Sequence, residues 1–250
     1  MSTEVLLGKS ALVTGGAKRI GREIALALGK AGADVAITYR TSASEAALTV
    51  EEIEALGRRA MAVECDVRSE ASVHEAVAAV ASRFGRLDLL VNNAAVFDSA
   101  GLEHVSLEQW DAVFETNTRG PFLVAREALQ PLRAVQGRIV NIGSLGGIRA
   151  WAGHAHYCAS KAALHMLTQV MAKAFAPEVS VNCVAPGWIE LEPFDADKGP
   201  DGDARRIAAR TPMRRNGTAE DVAQAVLFFA SGPSFITGQI LAVDGGLGLN

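Results

Sequence analysis

Cysteine is scarce, and its scarcity is informative. Three occur in 250 residues, Cys65, Cys158 and Cys183, and no two form a Cys-x-x-Cys pair. An odd, dispersed set argues against a disulfide framework and a zinc ribbon. It places the expected home in a reducing, cytoplasmic compartment. A basic stripe is also missing. Net charge is −4 with both signs scattered, so no nucleic-acid partner is expected. The first ten residues carry Glu4 and Lys9 and no long apolar core, unlike a secretory signal. Charge is absent from Val222 to Val243, a stretch long enough to cross a bilayer. Ser231-Gly232-Pro233-Ser234 interrupts it and Gln224 and Gln239 flank the break. Helix, turn and buried strand are predicted there rather than a membrane span.

What is present is globular. Apolar residues make up 49% and charged residues 21%, which excludes a disordered chain, a fibre and a coiled coil. A chain of this length buries a full core without staples. Short apolar runs recur at Ala11–Val13, Asp34–Tyr39, Ala60–Val63, Leu87–Val91, Arg138–Ile142, Val179–Val184 and Gln239–Val243. Helical patterns separate them over Arg19–Gly29, Ala43–Leu56 and Ser72–Arg83, with one or two more before the fifth run. Alternation of this kind predicts an α/β fold in one domain: a doubly wound, seven-stranded, mainly parallel sheet with helices on both faces. One stretch departs from the pattern. Glu190 to Gly202 is rich in Pro, Asp, Glu and Gly, and a substrate lid is predicted around residues 190–215.

The first predicted strand runs into Thr14-Gly15-Gly16-Ala17-Lys18-Arg19-Ile20-Gly21. Glycines between strand and helix let the backbone approach a pyrophosphate, and the helix N-terminus meets its charge. The familiar G-x-G-x-x-G spacing is lacking. So is the acid that an NAD site places at the end of the second strand to hold the ribose 2′-hydroxyl. Tyr39-Arg40-Thr41-Ser42 stand there instead, and Asp34 lies at the strand's other end. Lys18, Arg19 and Arg40 would welcome a 2′-phosphate, so NADPH is expected over NADH.

With two tyrosines and six lysines in the chain, a Tyr-x-x-x-Lys is rare by chance. Tyr157-Cys158-Ala159-Ser160-Lys161 supplies one, within a helical pattern. Residues i and i+4 share a helix face. A neighbouring ammonium lowers the pKa of a phenol, ordinarily near 10, and so suits it to acid/base work. Ser144 ends the fifth strand, where α/β sheets place ligands.

Taken together, Thr14-Gly15…Gly21, Asn92-Asn93-Ala94-Ala95, Asn117, Ser144, Tyr157-x-x-x-Lys161 and Pro186-Gly187 resemble the short-chain dehydrogenase/reductase family in order and spacing, from about Gly8 to Gly246. The resemblance implies a single-domain Rossmann fold and catalysis of carbonyl reduction. Tyr157 would protonate the carbonyl oxygen as hydride arrives. Lys161 would lower the tyrosine pKa and bind the nicotinamide ribose. Ser144 would bond the substrate oxygen, and Asn117 would hold a water linked to Lys161. For the cofactor it implies Gly15, Lys18, Arg19, Ile20 and Gly21 at the turn, then Tyr39, Arg40, Thr41 and Ser42. Asp66 and Val67 would meet the adenine. Asn93, Ala94 and Ala95 would line the cleft, and Pro186, Gly187 and Ile189 the nicotinamide end, with Tyr157 and Lys161.

Three departures bear on substrate. Arg19 replaces the usual middle glycine and Ala95 the glycine of Asn-Asn-Ala-Gly, both as in pteridine-reductase-like members. Leu191 stands where many members have Thr. Ser144, in Asn141-Ile-Gly-Ser-Leu-Gly-Gly147, and the tail Pro212–Val222 instead resemble 3-oxoacyl carrier-protein reductases. A 3-oxoacyl thioester is therefore the expected substrate. A pterin is the alternative, and a non-catalytic NADPH sensor the rival of another class. Phe97, Trp151 and Trp188 are expected around the substrate. His154 and His156 have no acid or cysteine cluster beside them, so no metal is expected; Cys158 reads as a packing residue. The helix from Tyr157 to Phe175 is apolar nearly all round, and Phe122–Leu132 is similar. The resemblance implies that they pair across a twofold, in a homotetramer or dimer.

Overall fold

The computed structural model describes residues 4–191 and 204–249. In chain order come β1 (Ser10–Val13), α1 (Arg19–Lys30), β2 (Asp34–Tyr39), α2 (Ala43–Ala55), β3 (Ala60–Glu64), α3 (Glu70–Phe84) and β4 (Leu89–Asn92). Next are α4 (Leu107–Phe114), a π-helical turn (Glu115–Arg119), α5 (Gly120–Glu127), α6 (Leu129–Arg133), β5 (Arg138–Ile142) and α7 (Ala155–Phe175). β6 (Ser180–Pro186), β7 (Ile189–Glu190), α8 (Ala204–Arg210), β8 (Gly217–Thr218), α9 (Ala219–Ser231) and β9 (Ile240–Val243) follow. Seven strands form one sheet in the order β3-β2-β1-β4-β5-β6-β9, and every pairing is parallel.

Both faces of the sheet are covered, so its strands are apolar on both sides. In β1, Ala11 and Val13 point into one layer and Leu12 into the other. The first layer takes Ile24 and Leu28 of α1, Ile53 of α2, and Val222, Val226 and Phe229 of α9. The second takes Val73, Val77 and Val80 of α3, Leu123 of α5 and Met171 of α7. Each fully buried side chain of this size contributes about 2 kcal/mol. Together they make a rigid base for the loops at the carboxyl ends of the strands.

The expected elements are present with shifted ends. β4 starts at Leu89 rather than Leu87, because pairing with β1 begins at Leu89 opposite Ala11. β6 runs on to Pro186, because β9 pairs with it to that residue. The uncharged stretch at 222–243 divides between α9 and β9. Among the described residues no helix is long and apolar enough to cross a membrane. Most of the Glu190–Gly202 stretch, where the lid was expected, lies outside the described residues.

Candidate active site

The strand order reverses between β1 and β4, and such a reversal opens a crevice at the strands' carboxyl ends. The glycine turn fills one side of it. Gly15 has φ +63°, a left-handed conformation that suits glycine. Its N–H donates to Thr38 Oγ1 at 3.2 Å. Asn93, at the end of β4, braces the turn: its Nδ2 donates to the carbonyls of Thr14 at 2.9 Å and Gly15 at 3.0 Å. A Cβ on Gly21 would lie 2.2 Å from the Gly15 oxygen, so no side chain fits there. Arg19 also has a left-handed φ, +55°. The backbone thus demands at this position what a glycine supplies freely, and an arginine bears the cost.

α1 begins without a side-chain cap and without an acid in its first turn. By contrast α3, α4 and α9 each carry a side-chain cap. The N–H groups of α1 that lack helical partners therefore open on the cleft beside Lys18 and Arg19. The cleft holds about 450 Å³. Its walls include Gly15, Lys18, Arg19, Ile20, Gly21, Tyr39, Arg40, Thr41, Ser42, Asp66, Val67, Asn93, Ala94, Ala95, Phe97 and Tyr157. Cys65, Val96 and Thr116 join them, which only the fold reveals, and so does Leu191, the residue that stands where many members have Thr. Uncapped amides, three cations and a cradle that a Cβ would fill fit a phosphorylated dinucleotide.

Some expected contacts are placed differently. Asp66 stands in the wall, but its carboxylate accepts from Arg68 Nε at 2.9 Å and Nη2 at 2.6 Å. Arg68 also holds its pKa down, to about 2. Asp34 pairs with Arg59 at 2.6 Å, a structural role at the far end of β2. Pro186, Gly187 and Ile189 do not wall this cleft. Gly187 donates to the Val243 carbonyl at 2.9 Å, and Ile189 pairs with Gly217 in a small β7–β8 sheet.

At the other end, α7 presents Tyr157 to the cleft and holds Lys161 beneath it. Lys161 is 3% exposed. Its Nζ donates to the Ile142 carbonyl at 2.8 Å and lies 5.9 Å from the centre of the Tyr157 ring. Burial lowers the Lys161 pKa to about 8. The Tyr157 hydroxyl departs from the expected lowering. Burial raises its pKa, the Ser144 hydrogen bond opposes this, and Lys161 is not among the causes. Ser144 follows β5, and its Oγ accepts from Gly146 N–H at 3.0 Å.

Asn117 is fully buried on the π-helical turn, a distortion frequent at functional sites. Its Oδ1 accepts from Val96 N–H at 2.9 Å. Its Nδ2 donates to the Val96 carbonyl at 2.9 Å and to Ser160 Oγ at 3.1 Å. Ser160 Oγ in turn donates to the Tyr157 carbonyl at 2.8 Å. Asn117 therefore ties the loop after β4 to α7, and these bonds do not reach Lys161 directly.

The three aromatics do not share one pocket. Phe97 stands edge-on to Tyr157 and stacked on His154, with ring centres 4.8 Å apart in both cases. Trp151 and Trp188 line a neighbouring cavity of about 640 Å³, with Arg149, Arg206 and Arg210. His156 lies 3.3 Å from Asp98, and His154 stacks on Phe97. Among the described residues no cluster of three or more metal-ligating side chains occurs. The sequence reading missed His165, one turn beyond Lys161 on the same helix; its only signal was the i+4 spacing.

A family model described as enoyl-(acyl carrier protein) reductase matches residues 15–248. The 3-oxoacyl-(acyl-carrier-protein) reductase FabG of Staphylococcus epidermidis is 37% identical, over 96% of this chain and 99% of its own. A short chain dehydrogenase from Burkholderia cenocepacia, solved in complex with NADP, matches with a TM-score of 0.89 and 42% identity, covering 97% of this chain and 98% of that one. A blue fluorescent protein from a metagenomic library, in complex with NADPH, matches with a TM-score of 0.87 and 37% identity, covering 97% of this chain and 98% of that one.

Proposed function

The chain belongs to the short-chain dehydrogenase/reductase family, and from that premise we propose that it reduces the ketone of a 3-oxoacyl thioester with NADPH. The observation that carries this reading is Tyr157 at one end of a cleft whose other end is cationic, with Ser144 beside its hydroxyl and Lys161 buried beneath its ring. Lys18, Arg19 and Arg40 suit the 2′-phosphate of NADPH, and no acid stands at the end of β2 to hold a free ribose. The nicotinamide, when bound, supplies the hydride that reaches the carbonyl carbon.

The chain's own residues handle the oxygen. Tyr157, a phenol with a pKa ordinarily near 10 that burial raises further, is protonated at neutral pH and ready as the acid. Its proton passes to the carbonyl oxygen as the C–H bond forms, which leaves an alcohol and a phenolate. Ser144 donates a hydrogen bond to the same oxygen. A solvent proton then replaces the one lost, and the Lys161 ammonium, buried beneath the ring, is placed to hold the nicotinamide ribose rather than to set the Tyr157 pKa. Asn117 fixes the helix that carries both groups.

The thioester reading draws on the similarity to 3-oxoacyl-(acyl-carrier-protein) reductases and on a serine at position 144. A pterin is the second reading, favoured by Phe97, a flat ring 56% exposed beside Tyr157. A sensor without catalysis is disfavoured because Asn117, Ser144, Tyr157 and Lys161 are all present. The test is NADPH oxidation by purified protein with acetoacetyl-CoA and, in parallel, with a dihydropterin. Turnover of acetoacetyl-CoA supports the thioester reading. Turnover of the pterin alone overturns it.

A further inference from the structure

A buried imidazole stands beside the catalytic groups without a part in the proposed chemistry. His165 is 8% exposed, two turns along α7 from Tyr157 and one turn from Lys161. A polar ring in such a place is costly unless it is hydrogen-bonded. It is bonded to the loop that carries Ser144. Nε2 lies 3.4 Å from the Ser144 backbone nitrogen and accepts its N–H. The ring also packs closely against Gly147.

The loop is shaped around this ring. A Cβ on Gly143 would lie 2.3 Å from His165 Nε2, and one on Gly147 would lie 2.6 Å from Cε1. Two glycines therefore clear space for an imidazole on both sides of Ser144. We propose that His165 is a positioning residue, which ties the Ser144 loop to the helix bearing Tyr157 and Lys161 and so sets the serine hydroxyl against the tyrosine hydroxyl. The proposal rests on the carbonyl-reductase reading.

Ser144 has an extended backbone, φ −169° and ψ 152°, and its N–H points back at α7 rather than along the strand. While Nε2 accepts that N–H, the Ser144 side chain is left to its own bonds: Oγ accepts from Gly146 at 3.0 Å and engages Tyr157. Burial and the charge of Lys161 both lower the His165 pKa, to about 4, which keeps Nε2 able to accept throughout the neutral range. A leucine would fill the space but could not accept the Ser144 N–H.

The experiment compares His165→Leu with His165→Gln, whose amide both accepts and donates. Turnover is measured with acetoacetyl-CoA and with an activated α-diketone, and NADPH affinity by fluorescence titration. The diketone separates the two ideas: a wild type that reduces it but not acetoacetyl-CoA fails the thioester reading alone, and the comparison proceeds on the diketone. His165→Leu is expected to lower kcat at least tenfold with NADPH affinity unchanged. His165→Gln is expected to stay within about threefold of the wild type. Unchanged kcat in His165→Leu, or equal losses in both variants, overturns the proposal in favour of simple packing. A parallel loss of NADPH affinity overturns it too. Should the leucine variant fail to fold, His165→Phe, which keeps a ring in the cradle, carries the same comparison.

Discussion

Arg19 shows how one side chain serves two demands at once. Its left-handed backbone, φ +55°, costs a non-glycine residue roughly 1–2 kcal/mol, while its guanidinium stands in the cleft wall. Arg19→Gly is expected to leave stability unchanged or raise it by up to about 1 kcal/mol, and to lower the preference for NADPH over NADH about tenfold, close to 1.4 kcal/mol. Thermal melts and the two kcat/KM ratios check both halves. Lys161 carries a cost of another kind. Its folded pKa of about 8 lies below the ordinary 10.5. Between those values the unfolded chain holds the extra proton, so stability rises with pH across that window. Lys161→Met is expected to abolish turnover, to be roughly 2 kcal/mol more stable than the wild type at pH 7, and to lose most of that advantage by pH 10. Urea midpoints at the two pH values measure it. For Tyr157→Phe a kcat loss of about 10²–10⁴ is expected, with NADPH affinity retained; unchanged turnover would remove Tyr157 as the acid.

At the level of elements, the β1–α1 turn is held by parts distant in sequence. Asn93 binds its carbonyls and Thr38 its amides, so three strand ends cooperate in one cradle. Gly21→Ala places a methyl 2.2 Å from the Gly15 oxygen. It is expected to cost about 1–3 kcal/mol and to weaken NADPH binding more than tenfold, as calorimetry would show. Elements with a strong local rhythm were legible in the chain: β2 and the first three helices lie within a few residues of their expected bounds. The Gly turn and the Tyr157/Lys161 pair were legible because their spacing is local. Asn117 to Val96, His165 to Ser144 and the capture of Asp66 by Arg68 were not. The first two depend on how separate loops and helices pack, and the third on which rotamers two neighbours adopt. How the aromatic trio divides was not legible for the same reason: Phe97 and Trp188 follow different strands and line neighbouring cavities.

At the scale of the whole molecule, the described residues leave an apolar face open on α5 and α7. Phe122 of α5 and Met166 and Val170 of α7 are 41%, 60% and 54% exposed, although both helices bury their other sides in the core. An apolar face of this kind suits a second copy of the chain, and we propose that the two helices pair there across a twofold. Val170→Asp is expected to shift the protein to a smaller species in light scattering while leaving its circular dichroism unchanged; an unchanged mass would place the interface elsewhere.

The cleft also contains both of the chain's tyrosines, Tyr39 and Tyr157. Biosynthetic replacement of tyrosine by 3-fluorotyrosine would therefore mark this site and nothing else. Two ¹⁹F resonances would result, one from each end of the groove, giving the protein a built-in spectroscopic reporter. Titration with the adenosine half of the cofactor should move the Tyr39 signal first, and occupation beside the catalytic helix the Tyr157 signal, so that the two ends can be followed separately in one spectrum.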